Sequence, residues 1–97
     1  MGASTFCLRN IYVYTINYGF MTKNVLKYIC IHSAKLQHAD LTEAEMSFAK
    51  MGKTNLRSAI LANTKFNAAV LDNADLRNAD LTYTEFGTAT KMNTKFE

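Results

Sequence analysis

A chain of 97 residues with 48% apolar side chains, no proline, four glycines and a formal charge of +3 fits a single domain with nothing that reads as a linker or low-complexity tail. Arg9, Lys23 and Lys27 interrupt the N-terminal aromatics, so neither a cleaved leader nor a membrane-spanning segment is expected, and the expectation is a cytoplasmic protein with no membrane contact. Cys7 and Cys30, the two cysteines, are expected to be reduced thiols, because a chain with its own core does not need a disulfide frame.

Residues 1–33 hold Arg9, Lys23 and Lys27 and no acid, whereas residues 34–97 hold eight basic and eight acidic residues. Three charges make a thin basic patch, and nucleic-acid binding rests on several phosphate contacts at once, so no direct DNA binding is expected. Two structures suit this first segment. A strand or hairpin over residues 9–20, rich in Tyr, Ile and Val, can precede a helical turn over residues 24–30 and form a separate cap. Alternatively the segment consists of degenerate coils of the repeat that follows, since Phe6, Ile11, Ile16, Met21, Leu26 and Ile31 keep its spacing. Against coils, Arg9 and Tyr14 fall in slots that elsewhere hold Ala or Thr.

From residue 34 onward a period of five governs the chain. Leu36, Leu41, Met46, Met51, Leu56, Leu61, Phe66, Leu71, Leu76, Leu81 and Phe86 form a row of large apolar residues, the spine. Two positions before each spine slot, Ala34, Ala39, Ala44, Ala49, Thr54, Ala59, Thr64, Ala69, Ala74, Ala79, Thr84, Ala89 and Thr94 form a row of small ones. A helix would place successive spine residues about 140° apart, and a straight strand would point them to opposite sides. The pattern works when the chain turns a corner every five residues, so that spine and small slots share one interior and three positions face solvent.

Ala39-Asp40-Leu41-Thr42-Glu43, Ala74-Asp75-Leu76-Arg77-Asn78 and Ala79-Asp80-Leu81-Thr82-Tyr83 resemble the A-(D/N)-L-x-x unit of the pentapeptide repeat family over about two thirds of the chain. The resemblance implies an all-β fold, a right-handed quadrilateral β-helix with four five-residue faces and twenty residues per coil. On this reading residues 1–33 are divergent N-terminal coils or a cap, and residues 34–97 are the β-helix. Ile60 and Val70 depart from the family's usual polar residue, and Lys91 places a charge on the spine.

No Ser-His-Asp set, glycine-rich phosphate loop or zinc signature is present. Cys30, His32, His38 and Asp40 are too irregularly spaced for a metal site. A solenoid packed with Leu and Ala is expected to leave no pocket for catalysis, so the chain reads as a non-enzyme without cofactor. Some members of the resembled family bind DNA gyrase as acidic mimics of duplex DNA. Here stacking by twenty gives Asp40–Ile60–Asp80 and Glu45–Lys65–Glu85, a broken acidic column that reads as an ion ladder. Phe48, Ile60, Val70 and Tyr83 are left outside the core.

The expected function is a non-enzymatic protein-binding module. Its target would be a nucleic-acid-handling enzyme, either a topoisomerase or a bacterial defence nuclease such as CRISPR–Cas, bound through Asp40, Glu45, Asp80, Tyr83 and Glu85. A phage or mobile-element inhibitor would have this character; a scaffolding repeat without inhibitory role is the alternative. A homodimer is expected through the C-terminal coil, with Phe86, Met92 and Phe96 at the contact, because an uncovered coil edge leaves backbone groups unpaired.

Overall fold

The computed structural model describes residues 26–97. Along them the chain turns a corner every five residues, and each corner is a local event. The N–H of a small-slot residue donates to the carbonyl of the spine residue three before it, as from Ala39 to Leu36 (3.0 Å), Ala44 to Leu41 (2.9 Å) and Ala74 to Leu71 (3.0 Å). The residue just before the small slot has positive φ in thirteen non-glycine cases, from Tyr28 (66°) to Asn93 (59°). A closing bond across three residues with φ above zero at the third position marks a type II turn. The corner after Phe86 differs: the positive φ of 46° falls on Gly87, one place early, and the Asn67 side chain lies where a Cβ at Gly87 would stand.

Four corners complete one coil, and coils stack with a register of twenty. Parallel bridges join Asp40 to Ile60 and Ile60 to Asp80, Glu45 to Lys65 and Lys65 to Glu85, and Lys50 to Val70 and Val70 to Thr90. In each, a spine N–H donates to the coil that follows it in sequence, and the small-slot carbonyl two residues before it accepts the reciprocal bond, as Leu41 N–H to Ile60 (2.8 Å) and Ile60 N–H to Ala39 (2.8 Å). A third bond ties the corners, from Glu43 N–H to the Ala62 carbonyl (2.9 Å) and likewise around the coil. Only one residue per face bridges, so the β character is a stack of isolated bridges without continuous strands among the described residues.

Inside, spine residues from Leu26 to Leu76 are fully buried, and so are the small residues between Ala34 and Ala74. Thr54 and Thr64 are 0% exposed, and burying an unbonded hydroxyl costs about 1–3 kcal/mol. The Thr64 hydroxyl donates to the Leu41 carbonyl of the preceding coil (2.7 Å), as Thr84 does to Leu61 and Thr94 to Leu71. Leu41 thus accepts twice, from Ala44 N–H and from Thr64, using both carbonyl lone pairs. Thr54 bonds Met51 within its own turn (2.6 Å). Threonine in a small slot is therefore a satisfied core residue.

The coil register reaches back to Leu26, which is buried, and Cys30 bridges to Lys50, so residues 26–33 already run as coil. The choice between cap and coils for the preceding residues, the Cys7, Arg9 and Lys23 positions included, lies outside the described residues. Cys30 corrects one expectation: it is disulfide-bonded, not a reduced thiol, with a partner outside the described residues. Lys91 occupies a spine slot but is exposed, its Nζ 5.3 Å from the centroid of the Phe86 ring. That contact lets the charge stay in water while its stem covers the end of the core.

Two substitutions test this register by thermal unfolding. Ala74→Leu overfills a slot stacked between Thr54 and Thr94 and should cost about 1–3 kcal/mol or more, a fall of many degrees in Tm. Lys53→Gly relieves a corner residue with φ of 61° and should leave Tm unchanged or raise it by a few degrees. Equal losses for the two variants would contradict the assigned slots.

Candidate functional site

The register sorts outward side chains into columns. The slot before the spine on one face carries Asp40, Ile60 and Asp80, and on the next face Glu45, Lys65 and Glu85. The corner between these faces carries Glu43, Asn63 and Tyr83. Asp40, Glu45, Asp80, Tyr83 and Glu85 therefore come together along one edge of the solenoid. Glu43 joins them; sequence reasoning passed over it, although its spacing of forty from Tyr83 was the available signal. The edge holds five carboxylates against two ammoniums, Lys27 and Lys65, both of which act on Glu45. Tyr83, 79% exposed, stands between Asp80 and Glu85 on the last of the three coils, and Ile60 on the coil before is 40% exposed. Lys35, Lys50, Lys53, Arg57, Arg77, Lys91 and Lys95 all fall on the other two faces, with Asp72, Asp75 and Glu97. Charge that balances along residues 34–97 is thus segregated across the coil.

Most of the edge carboxylates also hold their own corners. Asp40 Oδ1 accepts from the N–H (3.1 Å) and hydroxyl (2.6 Å) of Thr42, and Asp80 Oδ1 does the same with Thr82 (3.0 and 2.6 Å). Glu45 Oε1 accepts from Ser47 N–H (3.2 Å) and hydroxyl (2.5 Å). These bonds favour the ionised form: the Thr82 hydroxyl holds the Asp80 carboxyl below its ordinary range, and the Ser47 hydroxyl does so for Glu45. The expected Glu45–Lys65–Glu85 ion ladder does not form as such. The column exists, but Glu45 is bonded to Ser47, and Lys65 acts on it only as a weaker through-space attraction.

Phe86 is half-buried, stacked on Phe66 at 5.7 Å and met edge-on by Phe96 at 5.9 Å, so Phe86 and Phe96 close over the end of the core. Met92 stands apart and exposed. At another corner Tyr28 stacks on Phe48 with centroids 4.9 Å apart and rings 8° from parallel, a pairing that the sequence reading of Phe48 alone did not include. Val70 is half-buried.

A shallow cleft, open to solvent, is lined by His32, Ser33, Gly52, Lys53, Val70, Asp72 and Asn73. At its floor Gly52 is buried beneath the His32 imidazole, and a Cβ there would meet His32 Nδ1 at 3.1 Å. His38 lies on a different face from His32, and no group of three metal-ligating side chains occurs among the described residues. No helix among them is long and apolar enough to cross a membrane.

The twenty-residue register, the bridge slots and the corner geometry agree with what a comparison of the sequence shows. The family model of pentapeptide repeats matches residues 32–62 and 59–89, more than half of the chain. The chain belongs to the pentapeptide repeat family, whose fold is the right-handed quadrilateral β-helix and whose members generally serve as protein-interaction or structural modules. Among solved structures it is similar to a pentapeptide repeat protein, Rfr23, from the cyanobacterium Cyanothece 51142. Identity is 19%, over 94% of this chain and 88% of that one, with a TM-score of 0.32. Comparison with curated protein sequences gives no match.

The Asp75–Arg77 pair supplies a pH test. Arg77 donates to Asp75 through Nε (2.9 Å) and Nη2 (2.6 Å), which lowers the Asp75 pKa from 3.8 to about 2. A depressed carboxylate contributes stability above its unfolded pKa and loses it as pH falls through the folded value, so this contribution disappears between about pH 4 and pH 2. Exposure of both side chains to solvent keeps this contribution small. Asp75→Asn should keep the N–H acceptor but flatten the pH dependence of Tm in that window; an unchanged slope would remove the pair's role.

Proposed function

We propose that this chain is a non-enzymatic inhibitor that docks its acidic edge on a basic surface of a nucleic-acid-handling protein. The carrying observation is the segregation of Asp40, Glu43, Glu45, Asp80 and Glu85 along one edge, with the exposed Tyr83 between Asp80 and Glu85, opposite the faces that hold most of the cations. Complementary potential steers association and sets specificity, and an exposed aromatic flanked by charges can serve as an anchor. Proteins that hold phosphate backbones present the matching basic groove. A topoisomerase and a bacterial defence nuclease such as CRISPR–Cas both belong to this class, and a phage or mobile-element source suits a small inhibitor. The setting proposed is the cytoplasm.

A scaffolding role is the second reading, favoured by one observation: Asp40, Glu45 and Asp80 already bond Thr42, Ser47 and Thr82, so acids at these slots serve the turns whatever they meet outside. We further propose that two copies pair at the C-terminal coil. Leu81 and Phe86 are only partly buried there, Phe96 meets Phe86 edge-on, and Met92 is exposed on the same coil.

Replacing Asp40, Glu45, Asp80 and Glu85 together by Lys, with Tyr83→Ala as a separate variant, distinguishes the two readings. Capture from bacterial lysate followed by mass spectrometry should enrich one nucleic-acid enzyme complex with wild type and lose it with either variant, while circular dichroism stays unchanged. Capture that survives both variants would remove the edge from the interface. For the dimer, light scattering behind size exclusion should give twice the chain mass for wild type and the single mass for Phe96→Asp. A monomeric wild type at micromolar concentration would contradict it.

A further inference from the structure

The corner between the face of Glu45 and the face of Lys50 carries Tyr28, Phe48, Ala68 and Thr88 in one column, because the register of twenty stacks corner on corner. Tyr28 and Phe48 form a ladder there, with ring centroids 4.9 Å apart and planes 8° from parallel. That distance matches the spacing of neighbouring strands, about 4.8 Å, so each coil contributes one rung. The other corner columns hold Glu43, Asn63 and Tyr83, then Ser33, Lys53, Asn73 and Asn93, then His38, Ser58 and Asn78, and none has two aromatic residues.

The ladder stops at Ala68. Tyr28 covers one face of the Phe48 ring, and the opposite face looks toward the next coil, where the column offers only the Ala68 methyl. Phe48 is 46% exposed, and Tyr28 is its one ring contact among the described residues. A flat side chain standing outside Ala68 would therefore meet Phe48 as Tyr28 meets it on the other side, in a stacked geometry that aromatic pairs favour. The step also has an apolar wall and a cation. Half-buried Val70 follows Ala68 by two residues, and exposed Lys50 follows Phe48 by two. Cys30 and Val70 flank Lys50 in its bridge column, so no carboxylate neutralises it there, and Asp72 of the same face already accepts the Met92 N–H (2.9 Å).

We propose that the step between Phe48 and Ala68 is a docking site for an aromatic side chain of a protein partner, in a segment with a carboxylate beside that aromatic. The partner's ring becomes the third rung on Phe48, its edge rests on Ala68 and Val70, and its carboxylate pairs with Lys50. Aromatic anchors of this kind carry a large share of the energy of protein interfaces. The occupant is a protein segment and not a single-stranded nucleic acid: stacked bases bring a phosphate chain that needs a continuous basic groove, whereas Glu45, Lys65 and Glu85 alternate in sign beside the step. The step lies at the opposite corner of that face from Tyr83 and does not rest on the inhibitor reading.

The test follows the Ala68 methyl in ¹H–¹³C spectra of the full chain. Acetyl-Glu-Trp-Glu-amide is titrated at constant ionic strength, beside acetyl-Glu-Leu-Glu-amide, acetyl-Lys-Trp-Lys-amide and a single-stranded deoxythymidine hexamer. Wild type should show a saturable upfield shift of the Ala68 methyl with the acidic tryptophan peptide, binding at least about tenfold weaker for the basic one, and no saturable shift with the leucine peptide. The chain has no tryptophan, so the fluorescence of the peptide reads binding in the variants. Ala68→Phe supplies the third rung internally, at a corner whose φ of 61° matches the 64° of Phe48, and should abolish binding while Tm holds or rises. Lys50→Ala should lower the preference for the acidic peptide several-fold with circular dichroism unchanged. An unmoved Ala68 methyl, an equal response to the leucine peptide, full binding by Ala68→Phe, an unchanged preference in Lys50→Ala, or tighter binding of the oligonucleotide would overturn the site.

Discussion

Every feature of this protein depends on a backbone conformation that its residues adopt at a cost. Once every five residues the chain must place a residue in the left-handed region, and at thirteen described corners that residue is not glycine. Left-handed geometry costs an ordinary L-residue about 1–2 kcal/mol. Asn63, Asn73, Asn78 and Asn93 reduce the cost, because asparagine tolerates this region, but Phe48, Lys53 and Tyr83 do not. What offsets it is the regular set of bonds that each corner permits: one closing the turn and others running to the neighbouring coil, together with burial of a spine and a small residue. The corner is unfavourable alone and stable when stacked, which is why a repeat of this kind requires several coils.

The same corner decides what the surface can be. Because the inward slots are fixed, three residues in five are free of the core, and the register of twenty turns their sequence order into columns. Acids separated by forty residues share one edge, two coils apart, and Asp80 and Glu85 flank Tyr83 on its own coil. The carboxylates at Asp40, Glu45 and Asp80 combine two tasks, accepting the exposed turn N–H and charging the edge. Where the slot lacks an acceptor, as at Lys50, the turn has no such side-chain bond, and the glycine at position 52 leaves room for the His32 imidazole to lie over it.

The coils were readable in the chain because the five-residue period is enforced by packing: Ala or Thr in the small slot and Leu, Met, Ile or Phe on the spine leave little choice, so the buried rows and the columns could be assigned by counting. Side-chain chemistry at the corners was less readable. Period alone suggests that Glu45 should face Lys65, yet the nearer Ser47 takes the carboxylate, since a bond two residues away in a formed turn needs no long side chain to be ordered. Lys91 shows the same limit, because a charged residue in a spine slot leaves the core and lies against Phe86. The packing of His32 over Gly52 was likewise invisible, because counting places both in outward slots without showing that one side chain lies on the other. Cys30 was misread from composition, which carries no information on pairing.

The central claim is the register of twenty, since the acidic edge is a consequence of it. It is tested most directly by scalar couplings across hydrogen bonds in a long-range HNCO spectrum of the labelled protein. The account predicts cross-peaks from Leu41 N to Ile60 C′, from Ile60 N to Ala39 C′ and from Glu43 N to Ala62 C′. Cross-peaks at any other spacing from those three amides would contradict it.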